Sequence, residues 1–444
     1  MRPIKPKKHL SNSQIIILGF AAAILLGSLL LTLPFATADG KGASFPDALF
    51  TATSAICVTG LVVQDTATYW SAFGQGVILL MIQIGGMGVV TLAIAITMLS
   101  GKKISLKART TMQDAISAHH IGGVVNLTGF IIKGTAIIEL AGALLLMPVF
   151  IPEFGFFKGI WYSLWHSISA FCNAGFDLMG VCEHFSSLTS VAFNPLVNIV
   201  VMLLIIIGGI GFLTWEDILT NKWHFKKYRM QSKVIIVTSA LLIIIPAVMF
   251  YFLEFNDVSS GQRVWAALFQ SVTARTAGFN TVDLSLMSGA GMALMMALMI
   301  VGGSPGSTAG GMKTTTLATL FSTAISVFRN REHTHFFGRR IPDSTVRQAG
   351  SILTMYLTLF LAGGCAISRI EGLPMKECLF ETASAVGTVG LSLGLTPQLG
   401  GLSRAILILL MYFGRVGGLT IIFAALGGTP SSPATLPQEK LTVG

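Results

Sequence analysis

Long apolar runs dominate this chain, and polar residues fall mostly in the gaps between them. Eight runs reach or approach the length a helix needs to cross a bilayer, about 20 residues. They are 14–34, 76–99, 126–151, 191–213, 234–253, 287–303, 350–368 and 403–427. Between the members of each successive pair lies a shorter apolar stretch, near 46–56, 159–171, 262–274 and 374–386. Helices of about 12 residues cannot span, so these read as re-entrant segments. Basic residues precede the first run, as in a signal peptide, but it is long and lacks a clear small-residue cleavage site. It reads as a retained first span.

The pattern repeats four times. The short stretches end in S-A-I-C-V-T-G-L (54–61), S-A-F-C-N-A-G-F (169–176), V-T-A-R-T-A-G-F (272–279) and S-A-V-G-T-V-G-L (384–391). The shared glycines, Gly60, Gly175, Gly278 and Gly390, are 115, 103 and 112 residues apart. A second motif follows each: I-G-G-M-G (84–88), I-G-G-I-G (207–211), V-G-G-S-P-G (301–306) and F-G-R-V-G (413–417). Two motifs recurring together, in order, indicate tandem repeats of one unit. The resulting fold class is an all-α polytopic membrane protein of four M1–P–M2 repeats. Its eight transmembrane helices and four re-entrant pore loops surround a central pseudo-fourfold pore. The boundaries are a cytoplasmic N-terminus 1–13, repeat A 14–100, repeat B 101–220, repeat C 221–328, repeat D 329–428 and a cytoplasmic C-terminus 429–444.

Non-helical backbone at membrane depth is tolerated where it lines a water-filled cavity or is buried in protein. Four such segments, one per repeat, suggest a ring around an axis. Backbone carbonyls aimed at that axis can replace the water of a cation without placing a full charge in the membrane. Glycine reaches the unusual dihedrals this needs at least cost, and each re-entrant helix points its partly negative C-terminus at the site. The candidate filter is therefore Cys57, Val58, Thr59 and Gly60; Cys172, Asn173, Ala174 and Gly175; Arg275, Thr276, Ala277 and Gly278; and Gly387, Thr388, Val389 and Gly390. The candidate cation ligands are the carbonyls of Thr59, Gly60, Ala174, Gly175, Ala277, Gly278, Val389 and Gly390. Arg275 lies within that stretch, yet a cation beside the filter would defeat it, so its side chain is expected behind the filter. The G-G-x-G motifs of the second spans read as close-packing positions.

Composition agrees. The chain is 53% hydrophobic and 11% charged, too apolar for a soluble domain of 444 residues. Its net charge of +10 comes from clusters at 2–8, 102–109, 222–233 and 329–347. In an eight-span arrangement all four face one side, so both termini are expected in the cytoplasm, with the protein in the cell membrane. That placement excludes nucleic-acid binding. The five cysteines form no disulfide framework. No H-E-x-x-H, G-x-S-x-G or clustered metal ligands occur within the spans, so an enzyme is not expected.

The segments T-A-R-T-A-G-F-N-T-V-D (273–283) and G-G-S-P-G-S-T-A-G-G-M-K-T-T-T (302–316), on the M1–P–M2 frame, resemble the Trk/Ktr/HKT superfamily of potassium transporters. Chain length and a short N-terminus look most like its KtrB-type pore-forming subunits. The resemblance spans about residues 14–427. It implies K⁺ uptake, often stimulated by Na⁺, with no cofactor bound directly. It also implies a homodimer and a cytoplasmic nucleotide-binding RCK-type ring on the basic face. A secondary transporter coupling K⁺ to Na⁺ or H⁺ is the alternative. Such carriers use broken helices at their sites, and here the sequence suggests one break, in the third repeat.

That break is the candidate gate: Gly302, Gly303, Ser304, Pro305, Gly306, Ser307, Thr308, Gly310, Gly311 and Lys313. A run so rich in glycine, with a proline, cannot hold a straight helix. It resembles the family's intramembrane loop. It also resembles a phosphate-binding loop, but Met312 separates glycine from lysine and no strand precedes it. Arg415, in a place held by glycine in the other repeats, completes the gate. Two roles are open to it: repelling a cation beneath the filter, by about 3 kcal/mol at ~5 Å and an effective dielectric of ~20, or bonding the loop's carbonyls. Asp65, Asp177, Glu183, Asp283 and Glu381 are candidates for an acidic vestibule. His166 reads as a packed polar residue. Glu139 and Lys133 have no assigned role.

Overall fold

The computed structural model describes residues 10–100, 104–116, 123–255 and 259–426. The terminal segments, Lys102 and Lys103 lie outside the described residues. The first repeat comprises α1 (Asn12–Leu31), α2 (Phe45–Ile56), α3 (Ala72–Met87) and α4 (Val89–Leu99). The second comprises α5 (Leu106–Ile116), α6 (Val124–Phe154), α7 (Phe156–Phe171), α8 (Pro195–Gly209) and α9 (Phe212–Asn221). The third has α10 (Met230–Leu253), α11 (Ser260–Thr273), α12 (Gly289–Ile300) and α13 (Thr314–Phe328). A small hairpin of β1 (His335–Phe336) and β2 (Arg339–Arg340) follows. The fourth has α14 (Asp343–Glu371), α15 (Met375–Gly387), α16 (Gly401–Val416) and α17 (Gly418–Leu426).

The long first helices, α1, α6, α10 and α14, are apolar enough to cross a membrane, yet only 22–33% of their apolar windows is buried in the protein. Leu26, Ile137, Leu144 and Phe252 are more than half exposed. A helix apolar all round with so little protein cover belongs in hydrocarbon; this is a membrane protein. The inward faces, and the C-terminal halves of α2, α7 and α15, form the core, with Phe50, Trp165, Phe171 and Phe380 fully buried.

Two acids that sequence reasoning missed join first helices to second ones. Glu254, ending α10, accepts the amide of Ser288 at 3.1 Å, and Ser288 caps α12. Glu371, in the last turn of α14, accepts the Gly400 amide at 2.9 Å and the Ser403 hydroxyl at 2.5 Å. Each satisfies orphan donors at a helix start.

The structure corrects the expectation of a single broken span. Every second span is broken, and in three repeats the break falls at the last glycine of the motif. Gly88, Gly211 and Gly417 have φ of 85°, 93° and 87°, and the axis turns by 96° between α3 and α4 and 99° between α8 and α9. In the third repeat an irregular stretch separates α12 from α13. The motif's leading glycines do pack closely, as expected. A Cβ on Gly85, Gly208 or Gly414 would strike the carbonyl oxygen of Ile56, Phe171 or Val386, at the end of the adjoining pore helix. Sequence reasoning recognised the small residues but not that φ near +90° at the final glycine ends the helix.

A side chain at Gly211 would also lie 2.6 Å from the Pro305 carbonyl oxygen. Gly211→Ala is therefore expected to destabilise the protein by about 1–3 kcal/mol. The thermal midpoint in detergent should fall, and an unchanged midpoint would refute the reason given for the break.

Candidate ion-conduction site

The four short helices α2, α7, α11 and α15 end together, and each is followed by a residue in the left-handed region: Val58 (φ 53°), Asn173 (58°), Thr276 (68°) and Thr388 (51°). Such backbone costs about 1–2 kcal/mol for residues with a side chain. It persists because the next amide is held back against the helix. The amides of Thr59, Ala174 and Val389 donate to the carbonyls of Ser54, Ser169 and Ser384, each at 2.8 Å. The hydroxyls of Ser54 and Ser384 accept the following amides, Gly60 at 3.0 Å and Gly390 at 2.9 Å. This gives the serine a role in the first and fourth copies of the recurring Ser-Ala; the Ser169 hydroxyl has no hydrogen-bond partner among the described residues. Where the third repeat has Val272, the carbonyl of Thr273 accepts the Ala277 amide at 3.0 Å. The Thr273 hydroxyl donates to Phe279 at 2.6 Å.

The glycines then close a ring. A Cβ on Gly60 would lie 3.1 Å from the Cα of Gly175, one on Gly175 3.0 Å from Gly278, one on Gly278 3.2 Å from Gly390, and one on Gly390 3.0 Å from Gly60. In each case the carbonyl oxygen before the neighbouring glycine, that of Ala174, Ala277, Val389 or Thr59, is closer still. The order runs through the repeats in sequence and returns to the first. Four pre-glycine carbonyls therefore crowd one narrow passage, while the matching amides are turned away. That set of oxygens suits a dehydrated cation and repels an anion.

Beneath the ring, the loop between α12 and α13 docks on the exposed backbone of the broken spans. Ser304 and Thr308 donate their amides to Gly209 and Gly208 at 2.9 and 3.2 Å, and Gly311 donates to Gly414 at 3.2 Å. Breaking a helix leaves carbonyls without intrahelical partners, and the loop uses them. Arg415 donates to the loop carbonyl of Thr308 and to Gly85, and to Gly86 at 3.3 Å. The bond to the loop's carbonyls expected of Arg415 is present. Lys313 is tied locally, donating to Ala309 at 2.8 Å and Gly310 at 3.4 Å. Below the loop lies a cavity of about 340 Å³ whose walls include Gly86, Pro305, Ser307, Lys313 and Arg415.

The family model described as "cation transport protein", TrkH, matches residues 6–433. The chain belongs to this family of cation transporters. Transport, not enzymatic chemistry, is the work of the TrkH family. The chain is 41% identical to the potassium/sodium uptake protein NtpJ of Enterococcus hirae, covering 99% of this chain and 98% of that one. It is 38% identical to the Ktr system potassium uptake protein B of Bacillus subtilis, covering 97% and 96%. Its fold matches the crystal structure of the potassium transporter TrkH from Vibrio parahaemolyticus with a TM-score of 0.71, at 20% identity, over 95% of this chain and 86% of that one.

In this TrkH-family chain the other sequence-selected residues separate into distinct places. Outside the glycine ring lies a cavity of about 380 Å³ lined by the four glycines, Asp65 and Asp177. Asp65 is occupied by the amides of Ala67, Thr68 and Phe185 at 2.9–3.1 Å. Asp177 accepts the Met179 amide at 2.9 Å. Asp283 caps its own turn through Ser285. Glu183 is exposed and does not line the cavity. Glu381 is buried in the protein body and clamps the loop after Gly390 through Ser392, Leu393 and Thr396. Of the five vestibule candidates, Asp65 and Asp177 line this cavity. Arg275 points away from the ring to Ser239 on α10, whose carbonyl and hydroxyl lie at 3.3 and 3.4 Å. His166 is packed between Phe150 and Phe279. Lys133 is exposed. Glu139 is buried and accepts from Gln83 at 3.2 Å, with the Cys172 thiol 3.8 Å away. A residue missed in the sequence, Trp165, donates from behind the filter to Phe176 at 2.9 Å.

Burial pushes the Asp177 carboxyl up to about 7, with the charge of Asp65 adding to it and the Met179 amide opposing. Its negative charge is present above that pH and lost as pH falls through it. Acidifying the outside from pH 8 to 6 should therefore slow cation entry at sub-saturating concentration. Asp177→Asn should be slow at both pH values. Identical pH profiles for the two proteins would contradict this.

Proposed function

We propose that this chain is the pore-forming subunit of a potassium uptake system, admitting K⁺ through the ring at Gly60, Gly175, Gly278 and Gly390. The observation that carries the reading is the closed ring of pre-glycine carbonyls at the ends of four converging helices. The printed functions of the relatives from Enterococcus hirae and Bacillus subtilis support K⁺ as the cargo. Counting each broken pair as one span yields eight transmembrane helices and four re-entrant pore helices. The exposed Lys222, Lys226, Lys227 and Arg339 then lie on the cytoplasmic side of the cell membrane with both termini. That basic face suits an acidic or nucleotide-binding regulatory ring of the RCK type, and the resemblance to Ktr systems supports a homodimer. Stimulation by Na⁺ belongs to the same reading, in line with the printed name of the Enterococcus hirae relative. The loop of residues 302–313, latched by Arg415, is the gate.

The breaks in all the second spans favour a second reading, a carrier coupling K⁺ to Na⁺ or H⁺, because such carriers build sites from discontinuous helices. Flux of ⁸⁶Rb⁺ or K⁺ into liposomes holding the purified protein separates the two. A pore passes K⁺ down its own gradient with no gradient of Na⁺ or H⁺. Flux that requires one of those gradients overturns the pore.

A further inference from the structure

The loop beneath the ring touches the filter itself. The hydroxyl of Thr308 lies 2.9 Å from Oδ1 of Asn173 and 3.0 Å from the carbonyl oxygen of Phe171. Its single proton serves one acceptor at a time. The Asn173 amide nitrogen in turn faces the Thr276 hydroxyl at 3.5 Å. Further along, Gly310 is seated against Thr388, where any Cβ would overlap the threonine side chain. The Thr388 hydroxyl is buried with no hydrogen-bond partner among the described residues. Asn173, Thr276 and Thr388 are three of the four left-handed residues that set the direction of the filter carbonyls. The fourth, Val58, has no polar side chain. Gly208 keeps the junction open, since a Cβ there would lie 2.8 Å from the Thr308 hydroxyl and 2.9 Å from Oδ1 of Asn173.

A left-handed residue is held in a costly conformation by its surroundings. A partner that docks on it and leaves therefore biases it. We propose that Asn173 is a positioning residue linking gate to filter, so that a seated loop and a K⁺-occupied filter stabilise one another through the Thr308–Asn173 hydrogen bond. This inference rests on the pore reading above. Because the coupling is a free energy shared by two events, it acts equally in both directions. The loop tightens K⁺ binding, and K⁺ holds the loop down by the same factor. One buried hydrogen bond sets that factor at about fivefold to tenfold.

Two measurements on the purified protein test it without relying on flux. Calorimetric titration with KCl in detergent should show K⁺ affinity falling about fivefold to tenfold in Thr308→Val and returning in Thr308→Ser. The second uses Ser307→Cys, placed in the inner cavity, with Cys182→Ser and Cys365→Ser to remove the exposed thiols. Maleimide should label this cysteine more slowly in K⁺ than in a large organic cation. Asn173→Gly, which tolerates the left-handed backbone, should abolish that difference. K⁺ affinity unchanged by Thr308→Val, or labelling that stays K⁺-sensitive in Asn173→Gly, overturns the link. A protein that binds no K⁺ at all overturns the pore reading instead.

Discussion

Gly278→Ser should lose most of the preference for K⁺ over Na⁺, by roughly tenfold or more, while the protein still reaches the membrane. Gly278 has φ 76°, a conformation that costs a residue with a side chain about 1–2 kcal/mol. The new Cβ would also press on the Val389 carbonyl oxygen and lie 3.2 Å from the Cα of Gly390. The backbone must shift to relieve the overlap, and the shift moves the carbonyls that line the ring. Each 1.4 kcal/mol lost to K⁺ but not to Na⁺ is a factor of ten. The helix of this repeat, α11, ends at Thr273, five residues before this position, so the substitution acts on the ring and not on the helix. Reversal potentials under K⁺ and Na⁺ gradients measure the ratio directly. A substituted protein with the original ratio would show that the ring at Gly278 does not select.

Removing residues 304–310 should raise K⁺ flux, and Arg415→Ala should do so to a lesser degree. The loop's bonds to Gly208, Gly209, Gly414 and Arg415 hold it beneath the ring. Hydrogen bonds made by a charged donor are each worth about 1.5–3 kcal/mol. Losing those of Arg415 should therefore increase the open fraction by roughly tenfold or more. Deletion removes the obstruction along with its latch. Opposite behaviour, with flux falling in both variants, would mean that Arg415 and the loop support the pore rather than close it.

The four short helices and the glycines of the ring were legible because each leaves a local mark. A helix too short to span is visible as a run length, and a glycine forced by backbone geometry recurs at its site. The same marks picked out the glycine-rich loop between α12 and α13 and Arg415. The breaks at Gly88, Gly211 and Gly417 were not legible, because the residues around them remain apolar on both sides and hydropathy runs straight through. Only φ near +90° distinguishes those glycines from the packing glycines three residues earlier. The partners of Arg415 were equally hidden. They are backbone carbonyls contributed by α3 and the loop between α12 and α13, and a carbonyl carries no residue signature. Acids misled in the opposite way. Glu381 and Asp283 lie near the outer end in sequence, but their oxygens are taken by neighbouring hydroxyls and amides, so proximity to the mouth did not make them part of it. Val272 in place of serine looked like a departure from the repeat. The structure shows the same amide held by the next carbonyl along.

The central claim is that four glycines form one closed, ion-selecting ring. The most direct test is ⁸⁶Rb⁺ uptake into liposomes, with competing Na⁺, for four single variants: Gly60→Ser, Gly175→Ser, Gly278→Ser and Gly390→Ser. The ring predicts that every one of the four weakens discrimination against Na⁺, because each glycine faces the carbonyl of the next. A variant among them that is folded, conducts, and discriminates like the unmodified protein would contradict it.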